Sequence, residues 1–199
     1  MGETPPREAS LSFFDHLPTT QDAVTFALEH HGDQRRAADG APFVLHPLEV
    51  AAMLQRFGYP DHVVAAAVLH DVIEDTDADR TELEARFGPE VGELVALVSD
   101  DDSVEDEEER KDRVRERVRE AGDYAAVVYA ADKVSKAREL RTLIARGGDQ
   151  DEANAKFERY RRSLEMLEEI IPGSQLLEVL RFELEALEKL PPAEAGHGS

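Results

Sequence analysis

The apolar positions of this chain recur at helical spacing along most of its length. Between Val24 and His31 the inward positions fall at i, i+3, i+4 and i+7, and Thr19 and Asp22 ahead of them are spaced like a capping box. Similar stripes follow as far as Leu187, and we find no convincing alternation of apolar and polar residues of the kind that a strand requires. The pattern therefore predicts an all-α fold.

Prolines and glycines divide this pattern into about eight predicted helices, built as one helical bundle. Tyr160 lies on an apolar stripe that steps by three and four, so it is expected in the core. The predicted starts and ends are Pro47 and Gly58, Pro60, Thr81 and Gly88, Pro89, and Tyr124 and Arg146. Two further apolar stripes run from Phe157 to Ile171, where Pro172 breaks the pattern, and from Leu177 to Leu187.

The chain of 199 residues is long enough for one compact core. Residues 11–190 are predicted to form a single domain. Residues 1–10 and 191–199 are predicted to be flexible ends.

The composition narrows the classes of partner. The formal net charge of -21 disfavours nucleic acid and acidic membrane surfaces, although a local basic pocket still permits an anionic small molecule. The chain has no cysteine, so any metal must be held by histidine and carboxylate side chains. With no recognisable secretory signal or membrane span, we expect a cytoplasmic protein, and its oligomeric state stays open.

The stretch AAAVLHDVIED, residues 65–75, carries the strongest chemical signal. An apolar segment that should be buried is followed by His70, Asp71, Glu74 and Asp75, all expected near the end of one helix. Because unpaired buried carboxylates are costly, something positive must meet them, and a divalent cation is the simplest candidate.

Two further residues complete a candidate metal site. His46 precedes Pro47, and Asp132 lies inside another apolar run. The proposed ligands His46, His70, Asp71 and Asp132 suit Mn²⁺ best, with Fe²⁺ or Zn²⁺ as other possibilities, and suit Ca²⁺ less well. Coordination positions left to water are what a metal-dependent hydrolase needs.

The order of these motifs resembles that of the HD-domain metal-dependent phosphohydrolases, with one His, an HD pair followed by ED, and a later Asp. The flanking sequences resemble the alarmone hydrolases more narrowly, that is, the (p)ppGpp hydrolase domains of RelA/SpoT-type proteins. The resemblance covers residues from about 20 to 145. It rests on QRRAADGAPFVLHP, VLHDVIEDTDA, FGPEVGELVALVSDD, the ERK of residues 109–111, and YAADKVSKAREL.

The resemblance implies an HD-domain helical bundle that removes the 3′-diphosphate from guanosine 3′,5′-bis(diphosphate) and releases pyrophosphate. It places the metal ligands on the four residues already selected, and the catalytic acidic pair on Glu74 and Asp75. Glu74 is expected to orient a water or take its proton, with Asp75 in support. Arg35, Arg36 and Lys111 are expected to offset phosphate charge.

Two positions depart from the family pattern. Ala37 replaces a lysine that follows the arginine pair, and Lys136 replaces an asparagine that resembles a nucleotide-contacting residue. Lys136 is therefore a further candidate substrate contact. The departures leave open an HD phosphohydrolase of another nucleotide, such as an adenosine alarmone or a nucleoside mono- or triphosphate. A non-catalytic nucleotide-binding or protein-binding HD module is a third reading.

Overall fold

The structure, a computed structural model, describes residues 14–101 and 103–190. Within these ranges the chain forms ten helices, and the only β-type pairing is an isolated bridge between Arg35 and Pro42, so the all-α prediction is confirmed. The two predicted flexible ends, residues 1–10 and 191–199, lie outside the described residues, as do residues 11–13. The helices are α1 Pro18–His31, α2 Leu45–Arg56, α3 Asp61–Leu69, α4 Val72–Asp75, α5 Arg80–Phe87, α6 Pro89–Val98, α7 Glu107–Ala121, α8 Asp123–Ala145, α9 Gln150–Ile170 and α10 Gln175–Glu188.

Helix α3 lies at the centre of the core. Residues 63–69 are all fully buried, as the uniformly apolar sequence VVAAAVL predicts. α3 packs against α1, α2, α6 and α8, while α9 and α10 cover the other side of α8. Because α3 is enclosed in this way, His70 and Asp71, which directly follow its C-terminal end, are buried. None of the described helices is both long and apolar enough to cross a membrane.

The N-terminus of α1 is capped from another helix, so the capping box predicted at Thr19 is wrong. Helix α1 begins at Pro18, and Thr19 lies inside its first turn. The backbone N–H groups of Thr19 and Thr20 each donate to the Asp61 carboxylate at 2.9 Å, and the Thr20 hydroxyl donates to it at 2.7 Å. A side chain at the start of α3 therefore satisfies donors that the helix cannot pair itself.

Two other predicted helix starts are also displaced. Helix α2 begins at Leu45 rather than Pro47, which places His46 in its first turn. Helix α5 is capped by Asp79, whose side chain accepts from the N–H of Glu82 at 2.9 Å, so the predicted start at Thr81 is wrong. The upstream Asp79 caps α5, whereas Val44, at the start of α2, makes no capping hydrogen bond through its side chain.

The helix that carries the acidic motif is interrupted, contrary to the expectation of one continuous helix. α3 ends at Leu69, and α4 starts at Val72 after a two-residue break made by His70 and Asp71. The Ser99 hydroxyl donates to the His70 carbonyl at 3.3 Å. The interruption is slight, because His70 and Asp71 both keep αR backbone angles and the N–H of Asp75 donates to the Asp71 carbonyl at 3.0 Å.

Candidate metal centre and adjoining cavity

Four side chains from three parts of the fold converge at the end of α3. His46 comes from α2, His70 and Asp71 from the break after α3, and Asp132 from the middle of α8, and all four are buried. The Nε2 atoms of His46 and His70 lie 3.3 Å apart. Asp71 Oδ2 lies 3.3 and 3.1 Å from these two nitrogens, and Asp132 Oδ1 lies 3.2 and 3.4 Å from them. The fold thus brings together all four residues that the sequence selects as metal ligands.

The outer ring nitrogens of both histidines are engaged away from this cluster. His70 Nδ1 lies 2.8 Å from the carbonyl of Ala67, which accepts a hydrogen bond and cannot donate one. His46 Nδ1 lies 3.0 Å from the Ser135 hydroxyl, which itself donates to Glu49 at 2.8 Å. Each Nδ1 must therefore carry a proton, which leaves the Nε2 lone pairs of the neutral rings directed at one another.

One oxygen of each carboxylate in the cluster lacks a hydrogen-bond partner within the described part of the chain, although the ammonium of Lys136 lies 3.1 Å from that of Asp132. Asp71 Oδ2 and Asp132 Oδ1 are buried polar atoms without a hydrogen-bond partner among the described residues. With the two imidazole nitrogens they form a buried set of electron-pair donors. The ligand atoms of His46, His70 and Asp132 all lie within 4.8 Å of one another. Such a donor set fits a divalent cation.

The pKa values in the cluster show the same preference for positive charge. Burial alone would lower the pKa of His70, but the Asp71 and Asp132 carboxylates outweigh burial and raise the pKa to about 9. Burial would raise the pKa of Asp71, but His70 and Lys136 hold it well below the usual range. The carboxylates therefore stay ionised and favour a cation between them, whether a proton on imidazole or a metal ion.

Glu74 lies beside the cluster in a distinct environment. Burial, followed by the nearby Asp71 carboxylate, raises the pKa of Glu74 to about 7. Its Oε1 atom accepts a 2.7 Å hydrogen bond from the backbone N–H of Asp100. Glu74 lines a small cavity together with His70, Asp71 and Asp132. A carboxylate with a pKa close to neutrality is suited to taking up and releasing a proton.

Asp75 is placed differently from Glu74. It is exposed, and it is not among the described residues that line the small cavity or its larger neighbour. Its backbone carbonyl accepts a 2.7 Å hydrogen bond from Gln34, whose side-chain oxygen lies 2.9 Å from His31 Nδ1. Burial and the Asp71 carboxylate raise the pKa of Asp75. The structure therefore places Asp75 outside the cluster, near α1.

A second cavity of about 270 Å³ adjoins the cluster and is strongly basic. Lys111, Lys133 and Lys136 line both this cavity and the small one, so the two are neighbours. The larger cavity is lined by six cations and two carboxylates, a local excess of positive charge in a protein whose net charge is -21. The cations are Lys111 and Arg115 of α7, Lys133 and Lys136 of α8, and Lys156 and Arg159 of α9.

Two lysines of α8 contact the candidate metal ligands. Lys136 Nζ lies 3.1 Å from Asp132 Oδ1 and 3.7 Å from Asp71 Oδ1. Lys133 Nζ donates to Asp132 Oδ2 at 2.6 Å and lies over the Tyr129 ring, 4.2 Å from its centre. Lys136 therefore joins the candidate metal cluster to the basic cavity.

The other predicted substrate contacts differ in whether they line the cavity. Lys111 lines the cavity and pairs with Asp100 at 2.5 Å. Arg36 pairs with Asp39 and, at 3.4 Å, with Glu139, which lines the cavity. Arg35 is exposed and is not among the described residues in the lining. Ala37, where the family pattern has a lysine, does lie in the cavity wall.

Most of the cations in the cavity wall were not predicted from the sequence. Lys111 and Arg115, Lys133 and Lys136, and Lys156 and Arg159 are each spaced by three or four residues, so each pair shares a face of its helix. Tyr160 is half-buried and packs against the hydrophobic core, as its apolar stripe predicts, and it also lines the cavity. The helical spacing predicts that the two cations of each pair lie on one face of a helix, but it does not predict that the three helices meet at one cavity.

Comparison with known proteins places the chain among HD-domain proteins. A family model described as HD domain matches residues 23–159. The chain is 35% identical over 140 residues to the zebrafish (Danio rerio) guanosine-3′,5′-bis(diphosphate) 3′-pyrophosphohydrolase MESH1, which covers 69% of this chain and 77% of that protein. It is 49% identical over 73 residues to a GTP pyrophosphokinase rsh of Brucella ovis, which covers 37% of this chain. The chain spans about a tenth of the length of the Brucella relatives (10% of each).

A solved structure extends the comparison to nearly the whole fold. It is that of a metazoan orthologue of SpoT that hydrolyses ppGpp and plays a role in starvation responses. The TM-score is 0.76 at 29% sequence identity, and the match covers 87% of this chain and 97% of that one. The arrangement of helices around the cluster is therefore shared with that protein.

Proposed function

The chain belongs to the HD domain family, and on that basis we propose that it is a metal-dependent hydrolase of ppGpp and pppGpp. The reaction removes the 3′-diphosphate of guanosine 3′,5′-bis(diphosphate) to give GDP or GTP and pyrophosphate. One observation carries the proposal: a buried cluster of two imidazoles and two carboxylates adjoins a cavity lined by six cations. The similarity to MESH1 and to the SpoT orthologue supports the choice of substrate.

His46, His70, Asp71 and Asp132 would hold the metal ion, for which we propose Mn²⁺. Nitrogen and oxygen donors of this kind suit Mn²⁺ or Fe²⁺, and Zn²⁺ is compatible with the same set. A divalent cation bound here supplies Lewis-acid chemistry, which activates water and polarises a phosphoryl oxygen.

Glu74 is assigned the proton transfer. Its Oε1 atom is held by the Asp100 N–H, so Oε2 accepts the proton of the attacking water. The water oxygen bonds to phosphorus, the bond between phosphorus and the 3′ oxygen breaks, and the 3′ oxygen takes up a proton. A pKa of about 7 lets Glu74 accept and return that proton near neutral pH. Asp75, which lies outside the cluster, is assigned a supporting role only, because the hydrogen bond from Gln34 reaches its backbone carbonyl and leaves the carboxylate unengaged by Gln34.

The basic cavity binds and orients the phosphates of the substrate. Lys136, which lies close to the carboxylates of both Asp71 and Asp132, faces the reacting diphosphate, whereas Lys156 and Arg159 line a part of the wall formed by α9. Fixed cations of this kind stabilise charge that develops on phosphoryl oxygens. Lys111, as predicted from the sequence, contributes to this binding, while exposed Arg35 contributes least.

A second candidate substrate is another nucleotide with several phosphates. The observation that favours it is the altered cavity wall, in which Ala37 removes a cation and Lys136 adds one next to the metal ligands. Moving a positive charge along the wall changes which phosphate is held most firmly. An adenosine alarmone or a nucleoside triphosphate fits the same chemistry.

The proposal is tested by measuring pyrophosphate release from ppGpp by the purified protein in Mn²⁺. The matched control is Asp132→Asn, which removes the charge of one ligand without changing its size. We expect release by the wild type and its loss in the control, together with weaker Mn²⁺ binding. A panel of other nucleotides is assayed in parallel. If ppGpp is not hydrolysed but another nucleotide of the panel is, that nucleotide would replace ppGpp as the proposed substrate.

The other predictions concern the binding partners of the protein and its location in the cell. The proposed substrate is a small anionic nucleotide, and the net charge of -21 supports the expectation of no nucleic-acid partner. The cytoplasmic location stays a prediction based on composition.

A further inference from the structure

A line of hydrogen bonds lies behind His46, on the side away from the metal cluster. Ser135 of α8 is fully buried, and its Oγ atom lies 3.0 Å from His46 Nδ1. The same hydroxyl donates to Glu49 Oε2 of α2 at 2.8 Å. A serine hydroxyl has one proton, so while it donates to Glu49 it can only accept from His46.

We propose that Ser135 and Glu49 are positioning residues that hold His46 ready to bind the metal. Their hydrogen bonds keep the proton on Nδ1 and fix the orientation of the ring, so that the Nε2 lone pair faces Asp71 and Asp132. The inference rests on the metal site of the proposed function. It assigns a role to two residues that lie outside the ligand set and outside the acidic motif.

The position of Glu49 is itself fixed by a charged network. Arg138 donates to Glu49 Oε1 at 2.7 Å and to Glu183 at 2.7 Å, and Arg141 donates to Glu183 at 2.9 Å. The Glu183 side chain, on α10, is only 6% exposed. Because Arg138 occupies Oε1, Oε2 remains available to Ser135. The last described helix is thereby linked through α8 to a metal ligand on α2.

A second acceptor near His46 acts in the same direction. Glu139 Oε1 lies 3.4 Å from His46 Nδ1, farther away than the Ser135 oxygen. It also requires a proton on Nδ1, so it does not oppose the arrangement. Its distance makes it the weaker of the two contacts.

The test measures Mn²⁺ affinity by titration calorimetry on the full chain without nucleotide. Ser135→Ala removes the acceptor for His46. Glu49→Gln keeps the size of the side chain but cannot present acceptor oxygens to both Arg138 and Ser135. We expect Mn²⁺ affinity to fall about 10- to 100-fold in Ser135→Ala and about tenfold in Glu49→Gln, as is usual when partners of metal-binding histidines are removed.

The matched control is Ser163→Ala. Ser163 is a buried serine of α9 whose hydroxyl lies 2.9 Å from the Tyr129 hydroxyl, so its loss removes a buried hydrogen bond without touching a ligand. Unfolding temperatures without metal should fall in both serine variants, whereas Mn²⁺ affinity should fall only in Ser135→Ala.

The outcomes separate this inference from the proposed function. Wild-type Mn²⁺ affinity in Ser135→Ala would overturn the positioning role. Equal losses of affinity in the two serine variants would overturn it too, because the loss would then follow from destabilisation. If the wild type binds Mn²⁺ and Ser135→Ala binds it weakly, the inference stands even when ppGpp is not hydrolysed. A wild type that binds no Mn²⁺ would overturn both.

Discussion

Glu74, which lies beside the cluster, is the carboxylate whose surroundings best suit proton transfer. Asp71 and Asp132 stay ionised because cations surround them, whereas burial and the Asp71 charge bring the pKa of Glu74 to about 7. Neighbouring acids with separated pKa values are typical of sites that combine metal binding with acid–base chemistry. The role of Glu74 can therefore be tested without disturbing the ligands.

Replacing Glu74 by glutamine should abolish proton transfer while leaving the metal site intact. We expect the hydrolysis rate to fall about 10²- to 10⁴-fold, with Mn²⁺ affinity within a few-fold of the wild type. In the wild type the rate should rise as pH increases through about 7, because Glu74 must lose its proton to act as a base. That rising limb should be absent from the residual activity of Glu74→Gln.

Kinetic measurements across pH, with calorimetry for Mn²⁺, check this prediction. Glu82→Gln, a change at an exposed glutamate of α5, is the control. A near-normal rate in Glu74→Gln would remove Glu74 from its assigned role.

Lys136 places a positive charge where the metal ion is expected. Its ammonium lies 3.1 Å from Asp132 Oδ1, an atom that no hydrogen bond otherwise satisfies. Lys136→Asn restores the family residue. We expect Mn²⁺ to bind about tenfold more tightly, since a like charge next to the ion is removed. We also expect KM for the nucleotide to rise, because one cavity cation is lost.

Lys156→Asn is the matched control for Lys136→Asn. Lys156 lines the same cavity but pairs with Glu152 on its own helix. Its loss should raise KM for the nucleotide and leave Mn²⁺ affinity unchanged. If Lys136→Asn changes neither quantity, that position does not distinguish this chain from its relatives.

At the scale of elements, α1 depends on α3 for its N-terminal cap. The Asp61 carboxylate accepts from Thr19 and Thr20 across a sequence separation of about forty residues (41 and 42). Burial alone would raise the pKa of Asp61, but these hydrogen bonds from Thr20 and Thr19 outweigh it and lower the pKa. A carboxylate also interacts favourably with the positive end of the helix dipole. The central helix α3 and its neighbour α1 are therefore joined at this point.

Asp61→Asn should lower the free energy of unfolding by about 1–2 kcal/mol at neutral pH. Because the folded pKa is depressed, the contribution of Asp61 is present above the unfolded pKa and is lost as pH falls through the folded pKa. The difference between wild type and variant in urea unfolding should therefore shrink at acidic pH.

The control for this cap is Asp22→Asn, at an exposed aspartate of α1. It should change the free energy of unfolding by less than about 0.5 kcal/mol. Equal effects of the two substitutions would indicate a general charge effect instead of a cap.

At the scale of the whole molecule, the candidate metal site joins distant parts of the chain. His46, His70 and Asp132 come from α2, the end of α3 and α8, so an unfolded chain does not present them together. A ligand that binds only the folded state stabilises it. Metal binding should therefore be visible as stability in the absence of any substrate.

Mn²⁺ at a hundred times its dissociation constant should stabilise the protein by about 2.7 kcal/mol. For a chain of this size that corresponds to a rise of roughly 5–10 °C in the unfolding temperature. Thermal scans with Mn²⁺, and then with excess EDTA, measure the rise and its reversal. Asp132→Asn should show little response to Mn²⁺. If Mn²⁺ does not change the unfolding temperature of the wild type, the proposed metal site would be contradicted.

The sequence by itself determined the secondary-structure class and supplied the residues of the candidate metal site. Helical spacing requires only neighbours along the chain, so the all-α fold could be predicted, as could the burial of residues 63–69. The ligand set could be proposed because charged groups such as His70 and Asp132 stand in apolar runs, where burial makes them costly without a partner. The order of the motifs along the chain indicated the HD-domain family.

Only the tertiary structure decided which helices supply the cavity and how the ligands are held. The cation pairs of α7, α8 and α9 are far apart in sequence, and their meeting depends on packing between helices. The same is true of Asp61 at the end of α1 and of Glu49 behind His46, since neither lies near its partner in the chain. Helical propensity is local, whereas an electrostatic environment depends on every group that folding brings within a few ångströms, so the sequence could name the reactive groups but not their surroundings.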